Sequence, residues 1–426
     1  MSLSEKTAEY ISTPPLLLLP QDIVVEILSK LPVKSLVQFR CVSKFFCTLI
    51  ADHGFGVLYR SLSLTLPSRA GILIAFKRQK WFCDDPPAPP FYTINFSEEN
   101  PRRPGMLQAN RLGYLDSEPF LTGCLRSSSD GLICLSRPSG DVTVCNVSTG
   151  HRIYLPRIKF HSPRPFSPCA VLGFDSQSKR YKVLMSVCRK DPACKKDLTQ
   201  IQSLEYKHWI LTVGVDKSWR EINYSSHPFY PFEGYTHPGF CDPSVYIDGI
   251  IYSYNWLTTR DDPHSFHIVA FEVGSESYSL IPIPVEVPSS SHFHSIGAFG
   301  EKYYYSTLVH DYFALLQVDG GQLAIVYVWR MGRLNVWTWE KCKECWEKIS
   351  MRIPPKEGKY LRCTTNHAGE IVLLCTNSTE LSILVCNLKS NVWRKFDVGG
   401  VEEELPIDFS RDVRMYKTMD NVFSME

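Results

Sequence analysis

Leu19-Pro20-Gln21-Asp22-Ile23-Val24-Val25-Glu26-Ile27-Leu28-Ser29-Lys30-Leu31-Pro32-Val33-Lys34-Ser35-Leu36-Val37-Gln38-Phe39-Arg40-Cys41-Val42-Ser43-Lys44 carries two prolines, each ahead of a helical pattern. Proline is tolerated where a helix begins, because its missing N–H would have had no intrahelical partner there. Pro20 can therefore open a first helix, and Pro32 can close it while opening a second. Between them Ile23, Val24, Ile27, Leu28 and Leu31 recur at i, i+1, i+4, i+5 and i+8, one apolar stripe of an amphipathic helix. Gln21, Asp22, Glu26, Ser29 and Lys30 fill the polar side, with Asp22 and Glu26 where the helix dipole favours carboxylates. Leu36, Val37 and Val42 continue the apolar surface. Ser43 suits the N-cap of a third helix carrying Phe46, Leu49 and Ile50 on one face.

Three short helices in about thirty residues cannot bury that much apolar surface among themselves. Such a unit needs a partner, either the next domain of its own chain or another protein. From Leu19 to Phe55 the residues resemble the F-box of plant F-box proteins. Phe46 stands where that family usually has Trp, and His53 where Pro is common. The resemblance implies that the helices dock on a Skp-family adaptor, which links them to a cullin and a RING subunit. The adaptor-binding residues it implies are Leu19, Pro20, Ile23, Ile27, Leu28, Leu31, Pro32, Val33, Leu36, Val42, Phe46, Leu49 and Ile50.

A length of 426 residues allows two or three domains, and 44% apolar residues are ample for a core. The division expected is a flexible N-terminus over 1–15, helices over 16–60 and a β region over 61–426. A net charge of +2 makes no electrostatic case for nucleic acid or a membrane surface. Lys77-Arg78-Gln79-Lys80 and Arg102-Arg103 are short and read as solvated surface. The apolar run Leu16–Leu19 is too short for a signal peptide, and no segment has the roughly 18 uninterrupted apolar residues of a membrane span. The 15 cysteines are expected as reduced thiols in cytoplasm or nucleus, several acting as small core hydrophobes: Cys134, Cys145, Cys375 and Cys386. Asn-x-Ser/Thr sequons start at Asn95, Asn146, Asn223 and Asn377 and carry no meaning without secretion.

From about Ser61 short runs of Val, Ile, Tyr and Phe alternate with turn residues, an all-β signature. Gly71–Phe76 suggests a first strand. An approximate repeat follows. Ser129-Asp130-Gly131-Leu132-Ile133-Cys134-Leu135 gives turn and strand, Val142–Val147 the next strand, and Thr149-Gly150 a reversal into His151–Pro156. The same order returns at Ile247–Tyr252, Ile268–Val273 and Tyr278–Pro282, and again at Ala368–Leu374, Ile383–Leu388 and Asn391-Val392-Trp393. Partial copies lie at Leu211–Val215 with Trp219 and at Val336–Glu340 with Trp346. In each copy an inner strand enters through an Asp-Gly or His-Ala-Gly turn, and an aromatic begins the outer strand. His151, Trp219, Tyr278, Trp346 and Trp393 are separated by 68, 59, 68 and 47 residues, irregular and mostly longer than a kelch period of about 50. A distorted β-propeller with long loops fits this spacing, and a pair of β-sandwiches is the alternative. The region resembles the F-box-associated β-propeller domain. The fold expected is thus α+β and multidomain, a small three-helix F-box followed by an all-β, kelch-like distorted propeller.

No catalytic constellation is visible: no Gly-rich phosphate loop, nucleophile elbow, His-Glu-x-x-His or Rossmann fingerprint. Cys342-Lys343-Glu344-Cys345 lacks a second pair at zinc spacing and falls on a hairpin tip. Asp84-Asp85 and Asp261-Asp262 lie beside prolines and read as turn-formers; His264, His267, His292 and His294 read as surface. No metal or cofactor is expected. His227-Pro228-Phe229-Tyr230-Pro231-Phe232-Glu233-Gly234-Tyr235-Thr236-His237-Pro238-Gly239-Phe240 combines prolines, which exclude a central strand, with aromatics suited to binding. Phe229, Tyr230, Phe232 and Tyr235 are the candidates for holding a target protein; the alternative is that the aromatics plug the propeller's own face. The resemblance implies a non-catalytic substrate receptor of an SCF-type ubiquitin ligase. The alternative is a propeller enzyme or carbohydrate-binding module whose helices pack in cis.

Overall fold

The computed structural model describes residues 19–76, 90–98, 104–115, 124–137, 139–158, 169–190, 204–223, 240–242, 244–255, 267–287, 312–329, 332–354, 359–377, 380–401 and 413–423. Four helices come first: α1 (Gln21–Lys30), α2 (Val33–Val42), α3 (Lys44–Ala51) and α4 (His53–Thr65). The sequence suggested three. The fourth was hidden because Gly54 and Gly56 sit in its first turn, and glycine lowers helix propensity by about 1 kcal/mol. Its N-cap is Asp52, whose Oδ1 accepts the Phe55 amide at 3.1 Å.

Twenty-five described strands follow, arranged as six blades. Blade I is β1 (Ala70–Phe76), β2 (Phe91–Ile94) and β3 (Met106–Arg111), completed on its inner side by the last strand, β25 (Val413–Met419). Blade II is β4 (Cys124–Ser129), β5 (Leu132–Ser136), β6 (Val142–Asn146) and β7 (Arg152–Tyr154). Blade III is β8 (Cys169–Asp175), β9 (Arg180–Lys190), β10 (Leu204–Thr212) and β11 (Arg220–Ile222). A short strand β12 (Phe240–Asp242) precedes blade IV, which is β13 (Ser244–Ile247), β14 (Ile250–Asn255), β15 (His267–Glu272) and β16 (Ser277–Pro282). Blade V is β17 (Tyr312–Val318), β18 (Gln322–Trp329), β19 (Arg333–Glu340) and β20 (Cys345–Arg352), with β12 added in parallel beside β17. Blade VI is β21 (Lys359–Thr365), β22 (Ile371–Asn377), β23 (Glu380–Asn387) and β24 (Val392–Gly399).

The blades form a closed ring, because the inner strands neighbour one another in the cycle β25, β4, β8, β13, β17, β21 and back to β25. One buried apolar cluster fills each interface between successive blades. A pair of sandwiches is thereby excluded. The ring is closed twice: β25 pairs antiparallel with β1 near the axis, and at the rim β24 pairs parallel with β3, Val398 opposite Leu107. Uniting strands from both ends of the chain removes the open edge that a ring of sheets would otherwise leave.

Asp130 (φ 52°) with Gly131 (φ 82°) and Asp248 (φ 45°) with Gly249 (φ 90°) form tight left-handed turns, the geometry that Asp-Gly accommodates. The strand after each turn, read from the sequence as an inner strand, is second from the axis, with one further strand inside it. The true inner strands, such as Cys124-Leu125-Arg126-Ser127-Ser128-Ser129, carry too many polar residues to read as core. Those polar residues stitch blades together: Ser127 Oγ accepts the Leu172 amide at 3.0 Å, and Ser128 Oγ donates to the Lys417 carbonyl at 3.3 Å. The repeated aromatics do mark outer strands: Tyr278, Trp346 and Trp393 lie within β16, β20 and β24, and His151 and Trp219 stand just before β7 and β11. Cys134, Cys145, Cys375 and Cys386 are all buried in second or third strands.

Blade III holds a buried histidine whose acid response is predictable. His208 Nδ1 lies 2.9 Å from Ser186 Oγ across the β9–β10 ladder, and burial lowers its pKa from the usual 6.5 to about 4. A base with a depressed folded pKa stabilises the fold above its unfolded pKa, and the contribution is lost as pH falls toward the folded value. Between pH 6.5 and about 4 the loss should reach about 3 kcal/mol. Urea midpoints across that window check it: in His208→Asn the pH slope should flatten, and an unchanged slope would assign the acid sensitivity to other groups.

Candidate functional site

The helices begin on the residues the sequence nominated. The Pro20 carbonyl accepts the amides of Ile23 and Val24 at 3.0 and 3.2 Å, and the Pro32 carbonyl those of Ser35 and Leu36 at the same distances. Ser43 Oγ accepts the Phe46 amide at 3.3 Å. The single apolar stripe of α1 resolves into two faces. Val24 and Leu28 turn inward, packing with Val33, Leu36, Phe46, Leu49, Ile50, Phe55 and Tyr59, with Leu31 half-buried against them. Ile23 and Ile27, one position earlier in each turn, point away and stay 42% and 49% exposed.

The implied adaptor-binding residues therefore divide. Leu28, Val33, Leu36, Phe46, Leu49 and Ile50 build the helical core. Leu19, Pro20, Ile23, Ile27, Pro32 and Val42 face outward, Val42 being 70% exposed. Val37 and Phe45, which the resemblance did not nominate, are exposed as well. Their alternation with buried neighbours along α2 and α3 was the available signal. The core is complete without the outward set, so these side chains are free to be covered by something else. Between α1 and α4 lies a groove of about 550 Å³, walled by Val25, Leu58, Leu62 and Leu66 with Asp22, Glu26 and Lys30 at its polar side.

The helices are not a loose appendage. Arg69, just before β1, reaches back with Nη2 to the carbonyls of Ser29 (2.6 Å) and Leu31 (3.3 Å). Its guanidinium lies 4.1 Å above the Tyr59 ring, and the Tyr59 hydroxyl donates to the same Leu31 carbonyl. On α4, Arg60 pairs with Asp130 of the β4–β5 turn, its Nε 2.8 Å from Oδ2, both side chains 11% exposed. Burial opposes the Arg60 charge, but the Asp130 carboxylate more than compensates and keeps the guanidinium firmly protonated. The guanidinium also lies 3.8 Å from the centre of the Phe174 ring in blade III. Position 60, where the sequence reading divided the chain, is thus inside a helix that packs on blades II and III. The sequence carried no signal for the Arg60–Asp130 pair, since Asp130 read only as a turn residue.

The helices occupy the end of the ring where inner strands turn into second strands. In sequence the stretch 224–239 separates β11 from β12. It contains Phe229, Tyr230, Phe232 and Tyr235, which lie outside the described residues. Cys342 and Cys345 are exposed at the β19–β20 turn, where the sequence placed them. No group of three or more His, Cys, Asp or Glu suited to a metal occurs among the described residues. No described helix is long and apolar enough to cross a membrane.

Two family models match the chain. The family model for the F-box domain matches residues 16–58, and that for the F-box associated beta propeller domain matches residues 91–422. The F-box protein At4g11590 of Arabidopsis thaliana is 27% identical, covering 83% of this chain and 79% of its own. The F-box/LRR-repeat protein At2g40920 of the same plant is 25% identical over 90% of this chain and 81% of its own. Other Arabidopsis F-box relatives are matched over less of their length, 60% in one case and 63% in another. Among solved structures, TolB from Acinetobacter baumannii aligns with a TM-score of 0.42 at 8% identity, covering 86% of this chain and 72% of its own. Periplasmic gluconolactonase from Pseudomonas aeruginosa gives 0.38 at 11% identity, covering 79% and 85%. Likenesses so low carry no argument about this chain's function.

Proposed function

Because the chain belongs to the F-box proteins with an F-box associated β-propeller domain, we propose that it is the substrate-receptor subunit of an SCF-type ubiquitin ligase. The helices bind a Skp-family adaptor and, through it, cullin and RING subunits. The propeller holds the protein to be ubiquitinated, and the bond-making occurs on other subunits. The receptor itself acts by proximity, turning a bimolecular transfer into a nearly intramolecular one. It works in cytoplasm or nucleus, where that machinery resides.

One observation carries this reading: Ile23, Ile27, Val42 and Phe45 are exposed on helices whose core is already complete, and Leu19 is exposed just before α1. So many exposed large apolar side chains on so small a unit suit a docking surface. The alternative, a propeller enzyme or carbohydrate-binding module with helices packed in cis, draws support from the seat of α4 on blades II and III. That seat uses α4 and leaves the α1 face open, so packing in cis does not account for the exposed residues. Phe229, Tyr230, Phe232 and Tyr235 are the proposed anchors for the target.

Quantitative proteomics in plant cells tests the function. Induced expression of the intact chain should shorten the half-life of a small set of proteins that co-purify with it. Expression of the Ile23→Asp, Ile27→Asp chain should bind the same proteins and lengthen their half-lives. Half-lives indifferent to both chains would refute the receptor reading.

A further inference from the structure

We propose that Asn421-Val422-Phe423, the stretch after the closing strand β25, is a clasp that seats the helices on the propeller and makes the two one cooperative body. The three residues divide their contacts between the modules. Val422 belongs to the helical core, beside Leu36, Ile50 and Tyr59. Phe423 belongs to the cluster between blades II and III, with Val57 of α4 packed against it. Its ring meets His53 of α4 at 5.2 Å, Tyr181 at 5.0 Å and Phe174 at 6.4 Å, all edge-to-face. On α4 a side chain at Gly56 would place its Cβ 3.2 Å from the Phe423 backbone, so helix and clasp are in direct contact.

Asn421 fixes the clasp's path. It is fully buried, and its side chain donates to the Asp130 carbonyl at 2.6 Å and to the Tyr181 hydroxyl at 3.3 Å. Its own amide donates to Ser148 Oγ, and its Oδ1 accepts the Phe423 amide at 2.6 Å. Asp130 thus meets the clasp through its backbone and α4 through its carboxylate. The Asp420 amide donates to the Arg69 carbonyl at 2.7 Å, tying the end of β25 to the joint between α4 and β1. A segment with buried residues in both cores cannot leave either without opening the other. For its consequence this inference rests on the receptor reading: a target held by the ring would meet the adaptor at one fixed orientation.

The full chain provides the test. Wild type should melt in one calorimetric transition and resist protease at the exposed Leu66–Ser68 connection. Asn421→Ala with Phe423→Ala should split the transition in two and expose that connection, with β-sheet circular dichroism retained. Should this variant fail to fold, amide exchange on wild type decides. The α4 amides from Phe55 to Arg60 should be protected to the same degree as those of β5. Exchange about a hundredfold or more faster in α4 overturns the clasp, as does a folded variant with one transition and an uncut connection. Neither measurement involves adaptor or target, so the clasp can fail while the receptor reading stands.

Discussion

Ile23→Asp with Ile27→Asp should abolish capture of a Skp-family adaptor while leaving the chain folded. Truncating a buried interface anchor weakens binding by about 2 kcal/mol, roughly thirtyfold, so losing two approaches about a thousandfold. A carboxylate forced against an apolar partner adds desolvation to that loss. The fold should not notice, because both isoleucines face solvent and Val24 and Leu28 carry the packing. Leu28→Ala is a poorer probe: it hollows the helical core at about 2–5 kcal/mol, so lost capture would report unfolding. The measurement is adaptor pull-down beside thermal melting. Wild-type capture by the double variant would remove the α1 face from the account.

Gly131→Ala should destabilise the propeller by about 3 kcal/mol or more, because two penalties coincide. Its φ of +82° disfavours any side chain, and an added Cβ would lie 2.1 Å from the Met419 carbonyl oxygen. That oxygen is backbone at the end of β25 and cannot swing aside, so the strand that closes the ring must shift. Gly249 supplies the control. It has the same kind of turn, with φ +90°, but nothing within 4 Å of an added Cβ. Gly249→Ala should therefore lose only the conformational part, about 1–2 kcal/mol. Denaturation midpoints separate the two, and equal losses would mean that β25 does not bear on the β4–β5 turn as described.

What could be read from the sequence was what is local. Pro20, Pro32 and Ser43 mark helix starts by chemistry confined to one turn, and Asp130-Gly131 and Asp248-Gly249 mark hairpins by the φ they tolerate. The outer-strand aromatics were legible because each follows the same local order of two strands and a tight turn. Long-range decisions were not. Blade I went unrecognised because its inner strand, β25, comes from the other end of the chain. Which half of the α1 stripe packs inward is decided by α2, α3 and α4, and no periodicity within α1 distinguishes Ile27 from Leu28. The Arg60–Asp130 pair joins residues 70 apart in sequence, one of them disguised as a turn-former. In the site, nomination by resemblance mixed residues that hold the helices together with residues that face outward, since burial is decided by the other helices and only the structure tells the two sets apart.

Titration calorimetry of the purified intact chain with a purified Skp-family adaptor, repeated at several temperatures, addresses the central claim most directly. The account predicts one adaptor per chain and a negative heat-capacity change, the mark of apolar surface leaving water as Leu19, Ile23, Ile27 and their neighbours are covered. A folded chain that shows no binding at micromolar concentrations, or binds without a heat-capacity change, would contradict it.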